Sequence, residues 1–261
     1  MSQAPPAQAR SSPDAEAQGH RRSLGSYLLM PILLAAVVLA LYLYVSNQEL
    51  DSIEARTLTL SRILEATREH ILLTVASTVI TLLIAIPLGI MLTRPFARRL
   101  RPYIIGVLTV LQAVPTIAVL VLLAVVFLVL GFWIAVIGLV LYAIVPVLLN
   151  TMVGIEQVDD NVLEAGRGMG MSKTTVLRKI ELPLSIPVML AGIRTALVIN
   201  VGTATLATYI NAGGLGDLIA AGLATNRFTI QLVGAALTSV LALLIDYVAG
   251  VVEDVLRPKG L

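Results

Sequence analysis

The sequence predicts an all-α integral membrane protein with about six transmembrane helices and both termini in the cytoplasm. Three observations carry that expectation. The chain is 57% hydrophobic and only 13% charged, with a mean hydropathy of +0.93, whereas a soluble domain carries about 25% charged residues. Its apolar residues fall in long runs without charge. Its Lys and Arg fall between those runs with a strong bias to alternate connections.

The runs come first. Crossing a ~30 Å hydrocarbon core takes roughly 20 apolar residues. Residues 23–48 and 71–93 carry no charge. Residues 102–155 also carry none, which is too long for one crossing at ~1.5 Å per residue. They predict two spans joined by a turn at Gly131-Phe132-Trp133, whose aromatic pair suits an interface. A fifth run starts near Leu184 and is interrupted by Arg194. A sixth covers about Ile230–Val252 and contains Asp246.

Six spans with a cytoplasmic N-terminus put thirteen of the eighteen Lys/Arg inside: Arg10, Arg21, Arg22, Arg94, Arg98, Arg99, Arg101, Arg167, Lys173, Arg178, Lys179, Arg257 and Lys259. Arg56, Arg62, Arg68 and Arg227 fall outside, and Arg194 lies within a span. This is the positive-inside distribution. The same excess accounts for the basic pI near 9.0 without a nucleic-acid partner. The chain has no Cys, which excludes disulfides, thiolate metal sites and Cys nucleophiles. His20 and His70 are too far apart in sequence to suggest a metal cluster.

The organisation that follows is a disordered cytoplasmic tail over 1–22 and a first transmembrane anchor over 23–45. An extracytoplasmic connection follows over 46–69, then a membrane core over 70–255 with a polar loop at 156–183, and a cytoplasmic tail over 256–261. The run after Arg21-Arg22 is longer than a signal-peptide core and lacks a small-x-small cleavage site, so it reads as an uncleaved anchor. From about Thr59 the pattern is helical and runs into the second span, with His70 expected as a polar residue at the interface. Pro87, Pro115, Pro146 and Pro187 predict bent helices, which neighbouring helices make tolerable.

Polar groups inside the runs are candidate pathway residues or helix–helix ties. Gln112, Pro115 and Thr116 are spaced to share one helical face, as are Asn200, Thr203 and Ala204. Arg194 and Asp246 are expected to form an intramembrane ion pair, with a gating or solute-contact role for Arg194 as the alternative. "NAGGLG" (Asn211–Gly216) is glycine-rich but has no following Lys-Ser/Thr, so it predicts a tight surface or re-entrant turn and not a phosphate loop. The chain shows no acid/base or nucleophile cluster for a membrane enzyme.

The polar loop is the informative exception in so apolar a chain. Asp159, Asp160 and Asn161 offer helix N-caps, and Asn161 with Glu164 has capping-box spacing. Gly168 and Gly170 predict a break. Ser172 can cap a second helix over Lys173–Glu181, which Pro183 would end. The residues Glu164-Ala165-Gly166, Gly170 and Ile180-Glu181-Leu182-Pro183 resemble the signature of ABC-importer membrane subunits: E-A-A, three residues, G, nine residues, I-x-L-P. Gly166 in place of the second Ala is the one departure.

The resemblance runs over about 70–250. Stretches such as "LQAVPTIAVLVLLAVV" and "AGIRTALVINVGTATLATYINAGGLG" are similar to permeases for osmoprotectants such as glycine betaine, choline and carnitine. It implies a type I ABC-importer permease fold in a bacterial or archaeal cell (inner) membrane. It also implies that Glu164, Ala165, Gly166, Gly170, Ile180, Leu182 and Pro183 couple the chain to an ATPase. Gln112, Thr116, Asn200 and Thr203 become candidate pathway residues. The implied partners are an ATP-binding subunit holding ATP and Mg, an extracytoplasmic solute-binding protein, a second permease copy or paralogue, and the lipid bilayer. No cofactor is expected in this chain. A permease for another small polar solute such as an amino acid, and an ion-coupled secondary transporter or channel, remain the competing readings.

Overall fold

A computed structural model describes residues 24–256, and the described chain is helical throughout. In order it forms α1 (Leu24–Ser46), α2 (Ser52–Thr57), α3 (Leu60–Leu92), α4 (Arg101–Ala113), α5 (Thr116–Phe127), α6 (Phe132–Glu156), α7 (Asp160–Gly168), α8 (Lys173–Val176), α9 (Leu182–Ala204), α10 (Gly216–Thr225) and α11 (Phe228–Leu256). Five helices are long and apolar enough to cross a membrane, and the α4–α5 pair, bent by 99°, makes up to six. The expectations for the tails at 1–22 and 256–261, and His20 with them, lie outside the described residues apart from Leu256.

The bundle is built around α6. It is buried along most of its length, from Ile134 to Ile155, and packs chiefly on α3 and α9. Lipid supplies no hydrophobic drive between apolar helices, so close packing of small residues does the work. At Gly192 an added Cβ would come within 2.8 Å of the Pro146 carbonyl oxygen, and at Gly154 within 3.1 Å of the Ser185 carbonyl. Those two glycines set the approach of α9 to α6. On the other flank α11 packs on α9 and α10 on α11, and α1 lies chiefly against α11. There Tyr27 Oη donates to Asp254 (3.0 Å) and Tyr247 Oη to the Tyr27 carbonyl (2.8 Å).

Local chemistry sets most boundaries. Asp51 caps α2 with a full capping box through Glu54, and Thr59 caps α3. The turn at 128–131 uses left-handed Leu128 and Gly131 at φ +103°, and Phe132 and Trp133 stack edge to face at 5.2 Å.

Three expectations are corrected. The third span bends at Pro115 as expected, but as a 99° corner: Pro115 removes an N–H and Val114 before it is forced extended at ψ 135°. Gln112, Pro115 and Thr116 therefore do not share one helical face. Pro183 does not end a helix. The chain passes from α8 through a π-helical turn at 177–181 straight into α9, where Pro183 occupies the first turn and needs no N–H partner. His70 is not interfacial. It is fully buried, with Nε2 2.9 Å from the Val201 carbonyl and Nδ1 3.3 Å from the Leu215 amide. A carbonyl accepts and an amide donates, so these partners select the neutral Nε2–H tautomer.

The bundle has two polar ends. At one, Arg94 pairs with Glu181 and Arg101 with Glu156. At the other, Arg227 Nε lies 2.6 Å from Asp51 Oδ2, Arg62 lies 3.5 Å from Asp217, and Glu69 accepts from the Gly214 amide at 3.0 Å. The "NAGGLG" turn sits at this second end, with Asn211, Gly213 and Gly214 all at positive φ.

Candidate functional site

The signature residues lie at the Arg94 end, on α7, α8 and the π turn. Asp159 caps α7, its carboxylate accepting from the Asn161 amide at 2.8 Å. The expected Asn161–Glu164 box is not what starts the helix, because the cap falls two residues earlier. α7 also runs through Gly168 and stops at Met169. Gly170 at φ +83° turns the chain, and Ser172 caps α8, accepting from the Thr175 amide. A left-handed residue between two short helices sets them at an angle, the reason a glycine is needed at 170.

Gly166 and Ile180 belong to opposite ends of the signature, and they meet. Gly166 is buried, and a Cβ there would fall 2.6 Å from Ile180 Cδ1. The departure from Ala at 166 thus admits the isoleucine into the angle between α7 and the π turn. Glu164 and Ala165 face solvent on α7, Leu182 and Pro183 are partly covered at the start of α9, and Gly170 is exposed.

Sequence reasoning missed what holds this segment in place. Glu181, the unspecified position of the signature, is 4% exposed and takes a two-pronged hydrogen bond from Arg94, with Nη1 3.2 Å from Oε1. Such a bidentate pair is directional as well as strong. It ties the turn after α3 to the π turn. Arg101 grips Glu156 in the same two-pronged way, Nη2 lying 3.2 Å from Oε2. A lone acid following Lys173, Arg178 and Lys179 was the available signal. Beside the Arg94–Glu181 tie a cleft of about 470 Å³ is lined by Arg94, Pro95, Arg167, Lys173, Thr174 and Glu181, among others. It presents three cations, of which Arg94 is held by Glu181.

The candidate pathway residues are scattered. Gln112 donates from Nε2 to the Tyr142 carbonyl of α6 at 2.8 Å. Thr116 begins α5 beyond the corner. Asn200 is fully buried and donates to Thr78 Oγ1 on α3 at 3.0 Å, leaving its Oδ1 without a partner. Thr203 is half-buried and donates back to the Ile199 carbonyl of its own helix. In this conformation Gln112 and Asn200 act as helix ties. Arg194 and Asp246 are brought together, Nη2 lying 2.7 Å from Oδ2, with Glu253 a further 3.8 Å from Nη1.

A helical bundle with five or six membrane-length helices, and a glycine-jointed polar segment pinned at one end, is the architecture of a membrane permease subunit. Residues 85–258 match the family of binding-protein-dependent transport system inner membrane components, and the chain belongs to that family. It is an ABC-importer permease and a multi-pass inner membrane protein.

Among relatives, it is 40% identical to the carnitine transport permease protein OpuCB of Listeria monocytogenes, over 76% of this chain and 90% of that one. It is 39% identical to the choline transport system permease protein OpuBB of Bacillus subtilis, with the same coverage. With the osmoprotectant import permease protein OsmY of Salmonella typhimurium it shares 38% identity over 80% and 87% of the two chains. Among solved structures, a chain of the MetNI methionine ABC transporter in an inward-facing conformation superposes with a TM-score of 0.67 at 21% identity, covering 75% of this chain and 96% of that one. At that identity the likeness speaks to fold.

Proposed function

We propose that this permease carries osmoprotectants, small quaternary-ammonium solutes such as glycine betaine, carnitine or choline, into the cell. The observation that carries the reading is the 38–40% identity to permeases named for carnitine, choline and osmoprotectant transport. An extracytoplasmic binding protein delivers the solute. A separate ATP-binding subunit holds ATP and Mg and supplies the energy, so this chain is a transport subunit and not itself an enzyme. A second copy or a paralogue completes the path.

The orientation follows from charge. The Arg94–Glu181 end carries most of the described Lys/Arg, and that bias supports a cytoplasmic position for it. There α7 and α8, with exposed Glu164 and the basic cleft beside them, form the surface that seats on the ATPase. The Arg94–Glu181 and Arg101–Glu156 ties make that surface rigid with the ends of α3, α4, α6 and α9. A push on α7 then moves whole spans, which is what alternating access requires.

The test is reconstitution. Permease, ATPase subunit and cognate binding protein in proteoliposomes are expected to take up glycine betaine, carnitine or choline only with ATP. Uptake of an amino acid in preference to all three would overturn the solute class. Uptake driven by an ion gradient without the ATPase would overturn the mechanism.

A further inference from the structure

α1 is fastened to both ends of α11. At its start Tyr27 Oη donates to Asp254 at 3.0 Å, and Tyr247 Oη donates to the Tyr27 carbonyl at 2.8 Å. Beyond its far end Asp51 pairs at 2.6 Å with Arg227, the residue just before α11. Between those ties lie two apolar cavities of about 590 and 570 Å³, which share Val38 and Tyr42. Among the described residues of α1 only Leu34 is buried. The ties hold the helix in place while its far half stays poorly packed.

The cavity at the Ser46 end is the better enclosed. Val38, Tyr42 and Val45 of α1 line one side, and Val233 and Leu237 of α11 another. Leu60 and Ile63 of α3 complete it. Ile63 and Leu237 pack behind onto the buried core that holds Val201 and Ile230. The cavity is thus the outer edge of that core, which α1 does not fill. An empty space there forfeits the dispersion contacts of its lining. Water is no substitute, because it needs two to four polar partners and these walls are apolar.

Size and position select the occupant. From Val38 to Ser46 is about 12 Å along α1, close to the ~15 Å of hydrocarbon in one leaflet. A helix 10–12 Å across would displace roughly 1,000 Å³ over that length, so a span of another subunit does not fit. A single extended hydrocarbon chain does. The polar end of such a molecule is matched as well: Ser46 and Gln48 line the same cavity where α1 ends, and both are exposed. We propose that this cavity binds one acyl chain of a membrane phospholipid, with the ester and headgroup region at Ser46 and Gln48. The lipid fills the space between α1 and the core, and it supplies packing that no other described segment of the chain gives to this half of α1.

The test is photo-cross-linking. The assembled transporter is placed in phosphatidylcholine vesicles that contain a small fraction of phosphatidylcholine bearing a diazirine on one acyl chain, and cross-linked peptides are mapped by mass spectrometry. Peptides carrying residues 38–46, 60–63 and 233–237 are expected to be labelled several-fold above the peptide carrying Leu83, which at 70% exposure on α3 reports ordinary surrounding lipid. Val45→Trp fills the cavity from α1 and is expected to remove that excess while the Leu83 label stays unchanged. Wild-type labelling no higher than at Leu83 overturns the proposal, whether or not the variant folds. So does an excess that survives in folded Val45→Trp. The chain has no Cys, so Tyr42→Cys tests the rival occupant. Rapid disulfide formation between two copies, with the lipid label absent, would mean that a second subunit is packed there and would overturn the lipid site. Stability gives a second readout. Stripping lipid from the wild type in detergent is expected to lower its melting temperature, and added phosphatidylcholine to restore it. Val45→Trp should lose less on stripping, and an equal loss in both proteins would count against the site.

Discussion

Arg194 on α9 and Asp246 on α11 are joined by two hydrogen bonds, Nε to Oδ1 at 2.5 Å and Nη2 to Oδ2 at 2.7 Å, with Gly250 opposite the guanidinium. About a third of each side chain is open, 33% and 29%. Arg194→Gln is expected to destabilise the folded permease by about 1–2 kcal/mol, below the ~3–5 of a fully buried pair because the chain encloses this one only in part. Asp246→Asn should cost less, since Glu253 stands 3.8 Å from Nη1 and can take over. The double replacement should recover part of the loss. Thermal unfolding in detergent checks this, and strictly additive losses would show that the two residues do not act as a pair.

Glu164→Lys is expected to abolish uptake while the protein still inserts and folds. Glu164 is exposed on α7, so its replacement is expected to act on the partner surface and not on the core. Transport and detergent-resistant folded yield are measured together. Normal uptake at normal expression would remove α7 from the coupling surface.

Gly170→Val is expected to separate ATP hydrolysis from uptake. The glycine sits at φ +83° with no heavy atom near an added Cβ. Crowding is therefore absent and backbone strain alone acts, at ~1 kcal/mol or more for a β-branched residue. The angle between α7 and α8 is what relaxes. The ratio of ATP hydrolysed to solute moved should rise several-fold, and an unchanged ratio would contradict the hinge role.

Gly216→Ala should be harsher to the fold than any change in the polar segment. A Cβ at 216 would land on the Thr205 carbonyl oxygen, which is backbone and cannot step aside. The 205–217 region is already held by Glu69 and His70. Loss of the monodisperse peak in size-exclusion chromatography is the expected result, and a wild-type melting profile would count against this packing.

Asp51 gives a pH dependence outside the membrane spans. The Glu54 amide above all holds its carboxyl below the usual range; desolvation is the next largest effect and opposes it, and the Ile53 amide and the Arg227 guanidinium add to the lowering. A depressed carboxylate stabilises the fold above its unfolded pKa of about 3.9 and loses that contribution as pH falls through the lower folded value. The α2 amides should therefore lose exchange protection, corrected for intrinsic rates, as the solution is acidified below about pH 4. Asp51→Asn should lack this acid limb, and an identical limb in the variant would assign the effect elsewhere.

Much of this protein is written locally. Uncharged runs, the Lys/Arg bias and cap residues such as Thr59, Asp159 and Ser172 report free energies that neighbours in sequence decide: transfer into hydrocarbon, and pairing of the first amides of a helix. The same holds for the signature from Glu164 to Pro183, whose spacing identified the family before any coordinates. Proline was legible as a perturbation but not in its outcome. Pro87 and Pro146 stay inside continuous helices, Pro183 is absorbed by a π turn, and Pro115 makes a 99° corner. What separates them is whether the packed neighbours can take up the freed groups, as Tyr142 does for Val114. His70 reads as a border residue because its partners, Val201 and Leu215, lie more than 130 positions away. Glu181 reads as a filler position because Arg94 is 87 residues distant. Those contacts exist only once α3 and α9 have packed on α6, so the free energy that selects them belongs to the tertiary structure and leaves no periodic trace in the chain.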